Sequence, residues 1–315
     1  MSDLFSFVSP ESELNPDFVR LANSPNLVAA RKMATEIFEC RGDPDGNFIE
    51  QFQTNGFDAR VFELYLAAVL HEASFKLDGS YQSPDFVADH ENFGELAIEA
   101  VTANPAGNQM QDVGSMGKEF ASADTQVARN TVRTKTMRAI RSKMTKKYWE
   151  LSHLESVPFI IAVQCFSHAD SLAYSSSALA NPLYGFEAHE ATKDLSKTGP
   201  GYFANCDPHL SAILFTNNGT VAKLNRMGVQ KGYGCEDVRI QVIERVFDPD
   251  PSAFKPELRE YVAQAGQHDD SWLRGATLFH NPNAKRPVTA AAFEDAQHYT
   301  VKAGELECQV PNGHP

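Results

Sequence analysis

A mixed α/β fold, with a central sheet flanked by helices, is what this sequence predicts. Three observations carry the prediction. Between Ala59 and Gln164 the apolar pattern switches in the order helix, three short strands, helix, strand. Strand-like alternation returns further on, at 211–216 and 241–247. The chain of 315 residues is 42% hydrophobic and 10% aromatic, enough to bury a substantial core.

The elements follow in order. Residues 1–58 read as an N-terminal helical segment. Asn15-Pro16 marks a helix start, with Pro in the first turn. Asn26 is positioned to cap a helix over 27–38, and Gly42-Asp-Pro-Asp-Gly46 is a turn cluster. Asp58 can cap a helix reaching Glu72, because Phe62, Tyr65, Leu66 and Val69 recur at spacings of three and four. Three strand candidates come next, at 74–78, 84–88 and 95–102. Their links are too short for crossover helices, so they should be antiparallel neighbours. A polar stretch over 103–126 is long for a connection inside a compact domain. Met137, Ile140, Met144 and Tyr148 then define one face of a helix over about 127–151. The apolar run at 157–164 reads as a buried fourth strand, and the helix before it permits a parallel crossover. Beyond Cys165 the chain is richer in Pro, Gly, Asn and Asp. Residues 211–224, with Asn217-Asn-Gly219 in the middle, read as a hairpin. No linker separates this half, so 167–315 is expected to extend the sheet of a core at 59–166.

Three carboxylates fall at informative places in this order. Glu63 lies in the first turns of the first core helix, Asp85 follows Pro84 at the second strand, and Glu99 sits inside the third. Leu96, Ile98, Ala100 and Val101 surround Glu99 with apolar residues. A hydrolase that cuts a phosphodiester with a divalent cation needs carboxylates of this kind, because Mg²⁺ and Mn²⁺ take oxygen ligands. The ordered combination resembles the PD-(D/E)XK phosphodiesterase superfamily over about a third of the chain. The resemblance implies a restriction-endonuclease-like core, Mg²⁺- or Mn²⁺-dependent cleavage of DNA or RNA, and Asp85, Glu99 and Glu63 as metal-site carboxylates. Glu63 has a plainer reading as well, since a helix dipole favours Glu in a first turn.

One position departs from the superfamily pattern. Lys is expected two residues after the third-strand acid, and here that residue is Val101. Some members present the Lys from the following helix instead. At about 100° per residue, with Ile140 at the origin, Met144, Met137 and Tyr148 fall on one side. Lys147 falls near −20° and Lys143 near −60° on about the same scale, both beside the inward face. Lys147 is therefore the first choice for the missing catalytic lysine and Lys143 the second. The alternative is that both snorkel to solvent. A chain in which neither reaches the site would be a catalytically inactive binding or scaffold protein of nuclease fold.

Charge adds a second line of argument. The formal net charge is −13, which disfavours non-specific nucleic-acid binding by the whole surface. Yet no acidic residue lies between Asp124 and Glu150, a window holding Arg129, Arg133, Lys135, Arg138, Arg141, Lys143, Lys146 and Lys147. A confined basic stripe is the footprint expected of a polyanion site, with Arg129, Arg133, Arg138, Arg141 and Lys146 as phosphate contacts.

Other classes are disfavoured. No apolar run approaches the roughly 20 residues of a membrane helix. The N-terminus lacks the basic start and apolar middle of a signal peptide, so a cytoplasmic location is expected. Five scattered cysteines without a C-x-x-C pair argue against a disulfide framework or a zinc site. Ser167, His168 and Asp170 are too close in sequence to adopt a catalytic triad's geometry.

Overall fold

The computed structural model describes residues 3–103, 125–166, 177–188, 195–234, 239–246, 257–266 and 270–311. The candidate triad at Ser167, His168 and Asp170, the polar stretch at 104–124 and Cys235 lie outside them. The elements are α1 (Pro16–Asn23), α2 (Val28–Arg41), α3 (Phe48–Gln53), α4 (Phe57–Glu72), β1 (Lys76–Leu77), β2 (Phe86–His90), β3 (Gly94–Ala103), α5 (Thr125–Met144) and β4 (Phe159–Cys165). They continue with α6 (Ser177–Tyr184), β5 (Phe186–Ala188), β6 (Leu195–Lys197), β7 (Leu210–Thr216), α7 (Val221–Gln230), β8 (Ile240–Val246), β9 (Glu257–Ala263), β10 (Ala276–His280), β11 (Gln297–Lys302) and β12 (Glu305–Gln309). The fold is α/β, with helices around a mixed eight-stranded sheet of order β1-β2-β3-β4-β7-β10-β11-β12. Two compact units divide the chain: Met1–Glu95 with Asn218–Val246 and Leu258–Arg274, and Leu96–Asn217 with Phe247–Glu257 and Gly275–Pro315.

The first unit is built from the N-terminal helices, the antiparallel β1–β2 pair and α7. Asn15 caps α1, its side chain accepting from Asp17 N at 2.8 Å. The rings of Phe18, Phe48, Phe52 and Phe57 meet at centroid distances of 5.3–6.2 Å. Gln53, fully buried, ties the N-terminal segment to them by donating to Ser6 O at 2.8 Å and accepting from Val8 N at 2.9 Å.

Helix α7 replaces the hairpin expected at 211–224. Asn-Asn-Gly is a local turn signal, but Thr220 follows it and caps a helix, accepting from Lys223 N at 3.3 Å. Gly228 then lies against α2. Gly228 is required there, since a Cβ would lie 2.4 Å from Ala29 O. Nor does Asn26 cap α2. That helix borrows its cap: Asn225 Oδ1 accepts from Ala30 N at 3.1 Å while its Nδ2 donates to Asn26 O at 3.1 Å. Asp58 is likewise no cap, because α4 starts one residue earlier, after Gly56.

In the second unit β3 and β4 run parallel, with Glu99 opposite Ile161. Strand β4 also runs parallel to β7, and both strands are buried along their whole length. That explains the unbroken apolar runs, since a strand covered on both faces shows no alternation. Helix α5 packs on β4, where buried Val132 clusters with Cys165. It ends at Met144 rather than near Leu151, and the chain turns at Lys147, whose φ of 51° and ψ of 48° are left-handed. Antiparallel β7–β10, parallel β10–β11 and antiparallel β11–β12 complete this part of the sheet. No helix among the described residues is long and apolar enough to cross a membrane.

Candidate functional site

Glu99 stands midway along β3 with its side chain 4% exposed. A carboxylate buried among Ile98, Ala100 and Ile161 needs charged or hydrogen-bonding partners. Lys143, from the last turn of α5, supplies its ammonium to Glu99 Oε1 as an ion pair. Tyr148 donates its hydroxyl to the same oxygen at 2.7 Å. Lys143 is itself only partly covered, its side chain 28% exposed. The group therefore joins an interior carboxylate to a cation that solvent can reach.

Lys147 behaves differently. It is exposed, and its ammonium pairs with Glu150 Oε1 at 2.9 Å. The helical wheel assumed a helix continuing through this position. Once α5 stops at Met144, residues 145–148 no longer follow its angular progression. The same turn carries Tyr148 to Glu99. Sequence reading counted Tyr148 as one more apolar position of the helix and missed its hydroxyl. No glycine or asparagine marks Lys147 as the left-handed residue, so the sequence carries no sign of the turn.

Glu63 is engaged within the first unit. Its Oε2 accepts from Arg41 Nη2 and Arg60 Nη1, each at 2.7 Å, and all three side chains are buried. Arg60 also donates to Gln51 Oε1 and Asn47 Oδ1 at 2.8 and 2.9 Å. The Arg41 guanidinium lies 4.7 Å from the Phe48 ring centroid and 5.4 Å from that of Phe86. Burial pushes the Arg41 pKa down, and the negative charges of Glu63 and Asp85 oppose that shift. Asp85 itself is half-buried beside buried Pro84. Arg41 was not singled out from sequence because 22 residues separate it from Glu63, whereas Arg60, three residues before Glu63 on the same helix, stood within reach of a local reading.

The basic residues sort by exposure. Arg138, Arg141 and Lys146 are exposed, whereas Arg133 and Lys135 are half-buried. The Arg141 guanidinium also lies 5.7 Å from the Tyr202 ring centroid. The side chain of Arg129 lies outside the described residues.

Among the described residues no three His, Cys, Asp or Glu side chains gather as a closed metal cage would require. Mg²⁺ does not need such a cage, since it is commonly held by one or two carboxylates, several waters and the substrate's phosphates. Glu99 is one hard oxygen donor, and its Oε1 already holds the Lys143 ammonium and the Tyr148 hydroxyl. Compared with protein-family models, curated proteins and solved structures, the chain matches none.

Proposed function

We propose that the chain is a Mg²⁺- or Mn²⁺-dependent phosphodiesterase of the nuclease kind, acting on DNA or RNA. One observation carries the reading: the Lys143 ammonium lies on the buried Glu99 carboxylate. This supplies from a helix the lysine that the PD-(D/E)XK pattern asks for at Val101. Bound beside Glu99, the cation would polarise a phosphoryl oxygen and lower the pKa of an attacking water. Lys143 holds positive charge where negative charge develops on the phosphate. Tyr148 fixes the orientation of the Glu99 carboxylate. The exposed Arg138, Arg141 and Lys146 hold the nucleic-acid backbone.

The test is a gel assay over single- and double-stranded DNA and RNA, with and without Mg²⁺ or Mn²⁺. Cleavage should require the cation. Lys143→Met and Glu99→Gln should abolish it, whereas Lys147→Met should retain it. Calorimetry adds a second readout, in which Glu99→Ala should lower Mn²⁺ affinity. Unchanged affinity removes the metal assignment.

A binding or scaffold role is the second reading, favoured by Glu63, whose carboxylate two arginines already neutralise. Salt-sensitive binding without cleavage under any cation selects it.

A further inference from the structure

Helices α2 and α4 line a cleft of about 630 Å³ that the proposed nuclease site does not use. Every residue of its lining belongs to the first unit. The apolar part comes from Met33 and Ile37 of α2, Ala67 and Ala68 of α4, Met227 of α7, and Trp272. All six are buried, so the cleft is cut into packed interior rather than laid on the surface. Packed interiors leave few voids larger than one water. Sites for small organic molecules commonly span about 300–1,000 Å³, with an apolar lining and a few polar groups.

The polar groups decide what such a molecule carries. Glu36 has both oxygens engaged, one by the Lys231 ammonium and the other by the Tyr233 hydroxyl. The bonds from Lys231 and Tyr233 hold its carboxyl below the usual range, so it stays ionised and paired. Glu72 Oε2 accepts from Ser271 Oγ at 2.8 Å and from Leu273 N at 3.2 Å. In charge the lining holds three cations, Arg41, Lys76 and Lys231, against these two carboxylates.

Arg41 is the cation least well served. Its side chain is 6% exposed. Nη1 donates to Gly42 O at 3.1 Å and Nη2 to Glu63 Oε2 at 2.7 Å. The same Glu63 oxygen also holds Arg60, so one carboxylate oxygen faces two guanidinium groups. Arg41 Nε is buried and has no acceptor among the described residues. The charges of Glu63 and Asp85 offset burial only in part, and the Arg41 pKa stays lowered. A buried donor without an acceptor costs free energy. An anionic acceptor brought by a bound molecule removes that cost and adds the missing counter-charge.

We propose that this cleft binds a small amphiphilic carboxylate, its apolar body against Met33, Ile37, Ala67, Ala68 and Trp272 and its carboxylate on the Arg41 guanidinium. The short side chains of Ala67 and Ala68 leave the room, and unbranched Met33 and Met227 adapt to the shape of the body. A neutral alcohol of the same length fills the apolar space but brings no counter-charge. An alkylammonium brings charge of the wrong sign towards Arg41.

The full chain, labelled with ¹³C-methyl methionine, is titrated separately with decanoate, decan-1-ol and decyltrimethylammonium. Met33→Leu and Met227→Leu assign the two signals of the cleft among the seven methionines. Decanoate should move these two signals and leave the other five in place. It should bind about tenfold or more tightly than decan-1-ol, as a charge-assisted hydrogen bond requires, and the ammonium should not displace it. Ala68→Leu, which fills the cleft, should abolish the shifts. Arg41→Lys keeps a cation but loses the guanidinium, and should bring the decanoate and decan-1-ol affinities within about twofold. Urea unfolding shows whether each variant is folded. If Arg41→Lys is not, the three titrations of the native chain and Ala68→Leu decide. Unmoved Met33 and Met227 signals with decanoate would overturn the proposal, as would equal affinity for decanoate and decan-1-ol in the native chain. Shifts that persist in Ala68→Leu, or selectivity that survives Arg41→Lys, also overturn it. None of these readouts depends on nuclease activity.

Discussion

Buried charges in this molecule differ in whether the fold supplies them with partners. Glu99 has Lys143 and Tyr148, and Glu63 has Arg41 and Arg60. Asp58, in the first turn of α4, is served less well. Burial and the nearby negative charge of Asp17 push its pKa up to about 6. A carboxyl whose folded pKa exceeds its unfolded value binds more protons in the native state, so stability falls as pH rises from about 4 to 6. Asp58→Asn should remove that dependence and raise stability at pH 7 by an amount on the order of 1 kcal/mol, because partial exposure screens the effect. Urea unfolding of both chains at pH 4.5 and 7 checks this. A variant less stable at pH 7 would mean that the ionised Asp58 has a stabilising partner after all.

At the scale of elements, α7 holds the first unit together by contacts that the local sequence does not reveal. Lys223, fully buried, donates to Asp270 Oδ1 at 2.9 Å and to Ser271 O at 2.7 Å, and Arg226 pairs with Asp270 Oδ2 at 2.5 Å. Burial and the charge of Arg226 lower the Lys223 pKa to about 8, with Asp270 opposing them. Asp270→Asn should therefore cost about 3–5 kcal/mol, since the buried Lys223 and the partly buried Arg226 lose their counter-charge. Asn225→Ala, which removes the borrowed cap of α2, should cost only about 1–2 kcal/mol. Denaturant midpoints of the two variants give the ranking, and an equal or reversed order would refute it. These partners also mark where the sequence stopped being legible. Strand β4 was readable because burial on both faces leaves an unbroken apolar run. Helix α4 was readable because its apolar spacing is local, and α1 because Asn15-Pro16 is a local start signal. Helix α7 was not, because Asn217-Asn-Gly219 looks like a hairpin turn until Asp270 and Ala30 are seen to bond its side chains. At the candidate site Glu99 stood out as a charge among apolar neighbours. Choosing between Lys143 and Lys147 depended on a helix end that no capping residue announces.

For the molecule as a whole, net charge and local charge point in opposite directions. A chain of charge −13 repels a polyanion at long range, and its basic groups act only where screening shortens that repulsion. The acid-free helix α5 and the turn after it concentrate the exposed cations Arg138, Arg141 and Lys146. Arg138 and Arg141 are one turn apart and so share a side of the helix. If they contact phosphates, binding releases counterions and the affinity falls steeply as salt rises, by a slope of about 0.9 in log–log terms for each phosphate neutralised on a duplex. Filter binding from low to physiological salt should give such a line, with little preference for sequence, because phosphate contacts carry none. Replacing Arg138, Arg141 and Lys146 together with Ala should flatten the slope by about 2–3. The same triple variant should leave the unfolding midpoint nearly unchanged, since exposed side chains contribute little to packing. A slope that stays the same would move the polyanion contacts away from α5. An absence of binding at low salt would make the stripe a solvated helix face and leave the Glu99–Lys143 pair as a structural ion pair.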